Sequence, residues 1–372
     1  MTGFLNGIRV LDLGQFLPGP YCAQILRDMG AEVIKLEAPA GDPMRGFGPL
    51  GSDGVSLFYK GINAGKTLTT LDLKSEAGKS DFCALVSKAD ILIESFRPGT
   101  LERLGFSPDR LKELNPRLIY CALSGFGQTG PYRGRAGHDI NYMALAGGLA
   151  ASGTAERPVT AAPPVADFAS GSQAASAVLA ALFGRERSGT GCHLDMSIAE
   201  SVLAWQGMNL SASKSYSHRP ERERNMLNGG YACYQIYRTR DGGFISLGAI
   251  EPKFWANFCS ALDRREWIVR QDEESPQSSL IADVSGVIAT QDLAQWQSLL
   301  DPVDCCFHAV TEVEQLAQNP QVQERKMLEE DTEEPGLVHA LYPAWIDSAP
   351  PLPRPPLRAA SCADLIEAWA SS

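Results

Sequence analysis

Basic charge is scarce in this chain of 372 residues. Its 33 lysines and arginines are outnumbered by 44 aspartates and glutamates, which gives a net charge of −11 at pH 7. Duplex nucleic acid requires a surface that neutralises phosphates, so we expect no nucleic-acid partner. This charge balance still allows a local basic pocket for one anionic small molecule.

Several other signatures are absent. The nine cysteines include no Cys-x-x-Cys pair, which argues against a zinc site or a disulfide framework and predicts reduced, mostly buried thiols. The turn at residues 14–19 lacks the Gly-x-Gly-x-x-Gly of dinucleotide-binding proteins. Residues 1–7 show neither a charged and apolar leader pattern nor an arginine-rich amphipathic one, so we expect no leader peptide, and we expect no apolar run long enough to span a bilayer. We therefore expect a cytoplasmic protein without a membrane partner.

Strand and helix patterns alternate in the first part of the chain. Residues 8–13 and 32–37 are buried-strand patterns on either side of a helical pattern, which predicts a right-handed βαβ unit. The alternation continues to a strand at residues 118–123 and indicates a doubly wound α/β sheet. A glycine-rich loop at residues 125–131 then follows the carboxyl end of that strand, where open α/β sheets bind ligands.

The pattern changes after residue 210. A polar, aperiodic stretch indicates a linker, and a hairpin pattern around Asp241-Gly242-Gly243 followed by helical patterns predicts a small α+β domain. The proline-rich tail should be extended, with a last helix near residues 363–370. We therefore divide the chain into a large domain (1–210), a linker (211–225), a small domain (226–318) and a return segment with the tail (319–372).

His138 and Asp167 offer acid–base chemistry. His138 lies between a turn residue and an apolar run, so we place it at the start of a helix rather than in its body. Asp167 precedes a helical pattern of small residues at 168–183, where free amides and the helix dipole stabilise a carboxylate. We expect the histidine to titrate near neutrality and the aspartate to stay ionised, a pair suited to general acid–base catalysis. Taken alone, either residue is more often structural.

Four short motifs resemble those of the alpha-methylacyl-CoA racemases, which belong to the family III CoA-transferase superfamily. They are Gly137-His138-Asp139-Ile140-Asn141-Tyr142, Ala166-Asp167-Phe168, Met226-Leu227-Asn228-Gly229-Gly230 and Gly248-Ala249-Ile250-Glu251-Pro252. The resemblance extends over residues 7–326. It implies a Rossmann-like large domain with a smaller inserted α+β domain, two such chains interlocked as a homodimer, and an active site where the two kinds of domain meet.

The resemblance also implies roles for individual residues. His138 and Asp167 would be the two bases that exchange the alpha proton of a 2-methylacyl-CoA thioester through an enolate. The backbone amide of Asp139 would help to hold the thioester oxygen, and Glu251 would orient or tune the histidine. Coenzyme A arrives as part of the substrate, so neither a metal nor a separate cofactor is implied. Three arginines would bind its phosphates: Arg97, Arg103 and Arg45.

Three hypotheses remain open. The first is racemisation or epimerisation, which His138 favours because transferases of this superfamily usually lack a histidine there. The second is transfer of coenzyme A between carboxylic acids, with Asp167 as a nucleophile that forms a mixed anhydride and then an aspartyl-CoA thioester. The third is a CoA-binding or regulatory protein. Ala38 and Ala64 replace two expected arginines and motivate this third hypothesis, whereas the presence of Glu251 with the other two site residues opposes it.

Overall fold

The computed structural model describes residues 3–215 and 221–371. It divides into two units. Unit 1 consists of Met1–Ala146, Ala162–Trp205 and Ala317–Ser372, and unit 2 of Gly147–Ala161 and Gln206–Leu316. The predicted large domain differs from unit 1, because residues 147–161 and 206–210 belong to unit 2. The predicted linker is helical up to Ser215, and its residues 216–220 lie outside the described residues.

The elements are numbered in chain order over the described residues. The strands are β1 (Arg9–Leu13), β2 (Glu32–Glu37), β3 (Thr67–Thr70), β4 (Ile91–Glu94), β5 (Ile119–Ser124), β6 (Cys192–Ser197), β7 (Tyr234–Arg238), β8 (Phe244–Gly248), β9 (Phe307–Ala309), β10 (Leu328–Glu330), β11 (Val338–Ala340) and β12 (Arg358–Ala359). The α-helices are α1 (Pro18–Asp28), α2 (Leu57–Asn63), α3 (Glu76–Val86), α4 (Thr100–Arg103), α5 (Pro108–Leu114), α6 (Asp139–Leu145), α7 (Val165–Ser188), α8 (Ile198–Leu203), α9 (Gly207–Ser215), α10 (Pro252–Ala261), α11 (Ser278–Ile288), α12 (Leu293–Leu300), α13 (Pro320–Glu324) and α14 (Cys362–Ser371).

Unit 1 is built on a seven-stranded parallel sheet with the order β12-β3-β2-β1-β4-β5-β6. The predicted doubly wound α/β fold is confirmed. Leu11, Ile34 and Leu92 on its central strands are completely buried, as expected for parallel strands covered on both faces. The chain order reverses between β1 and β4, and in open α/β sheets such a switch point opens a crevice beyond the strand ends.

Buried ion pairs hold the turn that follows β1. Lys66 Nζ lies 2.8 Å from Asp12 Oδ2, and Lys35 Nζ lies 3.1 Å from Asp42 Oδ2. Asp12 Oδ1 also accepts from Gly14 N at 2.8 Å, and Lys35 donates to the carbonyl of Gly14. Burial raises the pKa of the Asp12 carboxyl, but the nearby lysine charges outweigh it and hold that pKa below its usual value. The network therefore fixes the backbone at the carboxyl end of β1.

One helix among the described residues, α7, is long and apolar enough to cross a membrane, with a mean hydropathy of 1.2 over its best window. Our expectation that no apolar run is long enough to span a bilayer is wrong. The hydropathy of α7 comes from many small residues distributed along its length rather than from one run of large apolar side chains. However, α7 packs against α1, α6 and α8 and lies against β5 and β6. The core helix of a domain meets the same criteria, so this helix is weak evidence for a membrane span.

The proline-rich tail is part of unit 1. As predicted, it is extended before a last helix: β12 pairs with β3 at the edge of the sheet, and α14 follows. Arg354 Nε donates to Asp28 Oδ1 at 3.1 Å. The indole of Trp369 donates to Glu32 at 2.7 Å, and its side chain is 2% exposed. The tail therefore contributes both a strand and core side chains.

Unit 2 is the smaller unit and is α+β, as predicted. Its antiparallel sheet has the order β7-β8-β9, with the predicted hairpin turn between β7 and β8. Helices α10, α11 and α12 bring apolar side chains to a core of their own. The completely buried members of this core include Trp255, Phe258, Leu280, Val284 and Ile288.

Candidate active site

A cavity of about 440 Å³ lies in unit 1 at the carboxyl ends of β1, β4 and β5. Gln15 and Ser95 line it from the turns after β1 and β4, the two strands of the switch point. Ser95 Oγ accepts from Gln15 N at 2.7 Å, which ties the two turns together. His138 and Asp167 line the same cavity. The structure thus brings together the two predicted acid–base residues, at the position where doubly wound sheets bind ligands.

Local hydrogen bonds position His138. As predicted, the histidine directly precedes a helix, α6, and its backbone amide donates to Asn141 Oδ1 at 3.0 Å. The hydroxyl of Tyr142 donates to the carbonyl of Gly137 at 2.6 Å and closes the turn. A Cβ atom on Gly137 would lie 2.8 Å from the tyrosine ring, so this position requires glycine. The edge of the Phe16 ring packs against the imidazole, with 6.0 Å between ring centroids.

The carboxylate of Asp139 joins the two motifs. Its Oδ1 accepts from the amide of Ala166 at 2.6 Å and from that of Asp167 at 3.1 Å. Both amides belong to the first turn of α7, whose preceding residue is Pro164 and offers no side-chain cap. Asp139 therefore caps α7 from a distant part of the chain and holds Asp167 beside His138. The motif resemblance implied a role for the backbone amide of Asp139, but it did not predict that the Asp139 side chain caps α7.

Asp167 does not have the proton affinity that we expected. Burial desolvates its carboxyl, the charge of Asp139 repels a second negative charge, and together they raise the pKa of Asp167 to about 7. Our expectation of a permanently ionised aspartate is wrong. Helix α7 begins at Val165, so Asp167 lies in its first turn, where the helix dipole favours the ionised form. Burial and the neighbouring carboxylate outweigh that dipole.

The three predicted arginines lie in different places. Arg97 lines the cavity with His138 and Asp167. Arg103 lines an adjoining cavity of about 390 Å³, which shares Pro98 and Arg133 with the first. Arg45 lines neither cavity, because its Nε donates to Glu37 Oε2 at 2.8 Å and its Nη2 to the Tyr59 hydroxyl at 2.8 Å. Of the three arginines predicted to bind phosphates, Arg97 alone therefore lines the main cavity.

Glu251 belongs to unit 2, where it is exposed directly before α10. Ala38, at the first position of a missing arginine, is also exposed. Ala64, at the second, is 1% exposed, and its carbonyl accepts from Gln24 Nε2 at 3.1 Å. An arginine side chain would not fit that packing. Within residues 3–215 and 221–371, no group of three or more histidine, cysteine or acidic side chains could hold a metal ion.

The residues that line the main cavity and that sequence reasoning missed include Ser124, Arg133, Arg135 and Tyr142. The two arginines and Ser124 occur in or next to the glycine-rich loop after β5, which the sequence indicated as a ligand-binding loop. Their position in that loop was the available signal. Tyr142 is the last residue of the motif at residues 137–142. Its hydrogen bond to Gly137 forms only because the chain turns just before α6.

A model of CoA-transferase family III matches residues 5–357 of the chain. The protein belongs to this family. It is therefore an enzyme of the family III CoA-transferase superfamily, and the resemblance seen in the four motifs is confirmed at the level of the family.

Individual relatives of this family III protein differ in reaction. Alpha-methylacyl-CoA racemase of Homo sapiens is 34% identical over 324 residues, which cover 86% of this chain and 81% of the human protein. Acetyl-CoA:oxalate CoA-transferase of Acetobacter aceti is 32% identical over 335 residues, or 88% and 85% of the two chains. Among solved structures, a CAIB/BAIF family protein from Brucella suis has a TM-score of 0.86 at 26% identity and covers 99% of this chain and 100% of the Brucella protein. Family membership therefore leaves the specific reaction to be argued from the site.

Proposed function

We propose that this family III protein inverts the alpha carbon of a 2-methylacyl-CoA thioester. The supporting observation is that His138 and Asp167 line one cavity, where the pKa of the aspartate is raised to about 7. Two-base exchange requires one group that holds a proton and one that does not. An aspartate of ordinary pKa is almost fully ionised at neutral pH and seldom donates, whereas this one is available in both forms.

In one direction of the proposed reaction, neutral His138 removes the alpha proton. The electron pair of the broken C–H bond moves onto the thioester and forms an enolate, and protonated Asp167 delivers its proton to the opposite face of the carbon. His138 then holds a proton and Asp167 is ionised, so the same pair is ready for the other enantiomer. The amide of Asp139, in the first turn of α6, would donate to the enolate oxygen, because first-turn amides have no acceptor within their helix.

Coenzyme A would enter as part of the substrate, and the proposed chemistry needs no metal or redox cofactor. Arg97 would bind its phosphates, since this guanidinium lines the cavity. Arg103 would contribute from the adjoining cavity. The role of Glu251 in orienting His138 and the interlocked homodimer stay predictions.

Coenzyme A transfer is the alternative, supported by the transferase from Acetobacter aceti among the relatives. In this reaction the carboxylate of Asp167 attacks the thioester carbonyl and expels the thiolate of coenzyme A, which leaves a mixed anhydride. The thiolate then attacks the aspartyl carbonyl, which forms aspartyl-CoA and releases the first acid. Only ionised Asp167 can begin this sequence, whereas the racemase uses Asp167 in both protonation states, one for each enantiomer.

The deciding experiment is alpha-proton exchange in deuterium oxide. The protein is incubated with (S)-2-methylacyl-CoA, and deuterium incorporation and chirality are followed by NMR. We expect exchange with inversion, and we expect His138→Ala and Asp167→Ala each to lower the rate by about 10²-fold or more. His308→Ala is the matched control, because His308 is exposed and lines neither the main nor the adjoining cavity.

Two other outcomes would replace the racemase proposal. If no exchange occurs but hydroxylamine traps an acyl group on Asp167 when a second acid is supplied, the protein is a transferase. If neither signal appears while coenzyme A still binds, the result favours the CoA-binding hypothesis or a substrate other than a 2-methylacyl-CoA.

A further inference from the structure

We propose that the Ser124 hydroxyl is a further substrate-binding group of the main cavity, which donates a hydrogen bond to the thioester oxygen as negative charge develops there. The proposal rests on the proposed thioester chemistry and adds a residue to it. It starts from a buried polar atom that the fold itself leaves unused.

Ser124 is the last residue of β5 and lines the main cavity together with His138 and Asp167. Ser124 is only 4% exposed, yet its Oγ has no hydrogen-bond partner among the described residues. Folded proteins seldom bury a hydroxyl in this way, because it loses its bonds to water without replacing them. Other unpartnered buried atoms occur in the described part of the chain, but none of their side chains lines this cavity.

Neighbouring serines show that the missing partner is particular to Ser124. Ser95 lines the same cavity, and its Oγ accepts from Gln15 N at 2.7 Å. Ser197, which pairs with Ser124 across β5 and β6, accepts from Glu200 N at 3.2 Å. Ser201 is 3% exposed, and its Oγ donates to the carbonyl of Ser197 at 2.9 Å. The local backbone therefore supplies partners for these three serine hydroxyls, but among the described residues it supplies none for Ser124.

The chemistry of the cavity indicates what the Ser124 hydroxyl binds. Its positive charges, such as Arg97, suit phosphates, and the Tyr142 hydroxyl already donates to Gly137. Ser124 is thus an uncharged donor without a partner among the described residues, and its residue lines the cavity of the two proton carriers. A thioester oxygen gains negative charge when the alpha proton leaves, and a fixed donor in a site that excludes water stabilises that charge.

The first test separates the thioester oxygen from the rest of the ligand. Binding is measured by calorimetry in an Asp167→Asn background, which prevents turnover, with a 2-methylacyl-CoA thioester and with the S-alkyl-CoA thioether that lacks the carbonyl oxygen. We expect Ser124→Ala to weaken thioester binding by about fivefold, as for one neutral hydrogen bond, and thioether binding by less than about twofold. Equal losses for both ligands would overturn the proposal. This test does not depend on whether the wild-type protein racemises its substrate.

The second test measures the transition state. In the otherwise unchanged protein, we expect Ser124→Ala to lower the deuterium exchange rate by about 10²-fold, and Ser124→Thr to restore most of it because threonine keeps the hydroxyl. Ser201→Ala is the matched control, because it removes an equally buried serine hydroxyl outside the cavity, and it should leave the exchange rate unchanged. Normal exchange in Ser124→Ala would contradict the proposal.

A stability measurement excludes a structural role. Removing a buried hydroxyl that has no partner does not destabilise a protein, whereas removing a bonded one does. The unfolding temperature of Ser124→Ala without ligand should therefore equal or exceed that of the wild type, and that of Ser201→Ala should fall. A drop of several degrees for Ser124→Ala would show that the hydroxyl serves the fold, and the proposal would fail. Absence of exchange in the wild type, with the selective loss of thioester binding retained, would instead count against the racemase alone.

Discussion

At the scale of single residues, Asp139 has two effects through one carboxylate. Its oxygen caps α7, and its negative charge acts on Asp167, 28 residues later in the chain. A helix start normally favours an ionised carboxylate. Here burial and the Asp139 charge prevail and raise the pKa of Asp167 to about 7. The proton affinity of the candidate acid is thus set by a neighbour that also holds it in place.

Replacing Asp139 by asparagine should separate these two effects. The amide oxygen of Asp139→Asn can still accept from the first turn of α7, but the repelling charge is gone, so the pKa of Asp167 should fall by about one pH unit. The pH profile of deuterium exchange checks this: the limb that reports ionisation of Asp167 should move to lower pH. A profile that stays in place would show that burial alone controls the aspartate.

Asp167 should make the folded protein less stable as the pH rises from about 4 to 7. Its pKa is about 7 in the fold against an ordinary 3.8, so over this range the unfolded chain releases the proton while the folded chain keeps it. Because Asp167→Asn cannot ionise, it should be more stable than the wild type at pH 8, by at most about 4 kcal/mol. Urea unfolding at pH 5 and pH 8 should show this difference widening with pH. A difference that stays the same at both pH values would contradict this prediction.

At the scale of elements, the start of α7 depends on a cap from another helix. Pro164 cannot accept a hydrogen bond through its side chain, and the carboxylate of Asp139 fulfils that role. Helix α3 shows the ordinary arrangement, in which Ser75 Oγ accepts from Gly78 N at 3.0 Å. This difference bears on function. Without the cap, the first turn of α7 would no longer be held in place, and Asp167, the candidate acid, belongs to that turn.

Asp139→Ala should therefore destabilise the protein by about 1–2 kcal/mol, the usual cost of losing a helix cap. Ser75→Ala should cost about as much but leave deuterium exchange intact, since α3 does not line the main cavity. The free energy of unfolding in urea measures the first effect, and the exchange assay separates the two variants. Equal exchange in both would mean that the cap does not position Asp167.

At the scale of the whole molecule, the carboxyl-terminal tail completes unit 1. Strand β12 covers the edge of the parallel sheet at β3, and α14 packs against α3. Trp369 lies in the core of unit 1, and its indole donates to Glu32 on β2. The last residues of the described chain therefore stabilise the edge and the core of the parallel sheet in unit 1.

Trp369→Ala should lower the free energy of unfolding of unit 1 by about 3–5 kcal/mol, because it leaves a cavity in the core. Phe4→Ala is the control: this side chain is 76% exposed, and its removal should change stability by less than about 0.5 kcal/mol. Urea unfolding of both variants checks the difference. A loss below about 1 kcal/mol for Trp369→Ala would show that the tail contributes little to the sheet.

The sequence by itself determined the architecture and the location of the site. The βαβ pattern follows from buried apolar runs and turn residues, which are local in the chain, and they predicted the parallel sheet and the place of His138 before a helix. Motif resemblance indicated the family and, with it, the two candidate acid–base residues. The sequence pattern placed each of them near a helix start, where on its own a structural role is more common.

Only the tertiary structure decided the pKa values and the hydrogen bonding of that site. The pKa of Asp167 depends on burial and on the charge of Asp139, and the sequence shows neither the solvent nor the distance between them. For the same reason it could not reveal that Arg45 donates to Glu37, or that the Ser124 hydroxyl is buried without a partner among the described residues. Local patterns determine which helices and strands form. A raised pKa and a hydroxyl without a partner depend on burial, which arises only when distant parts of the chain pack against one another.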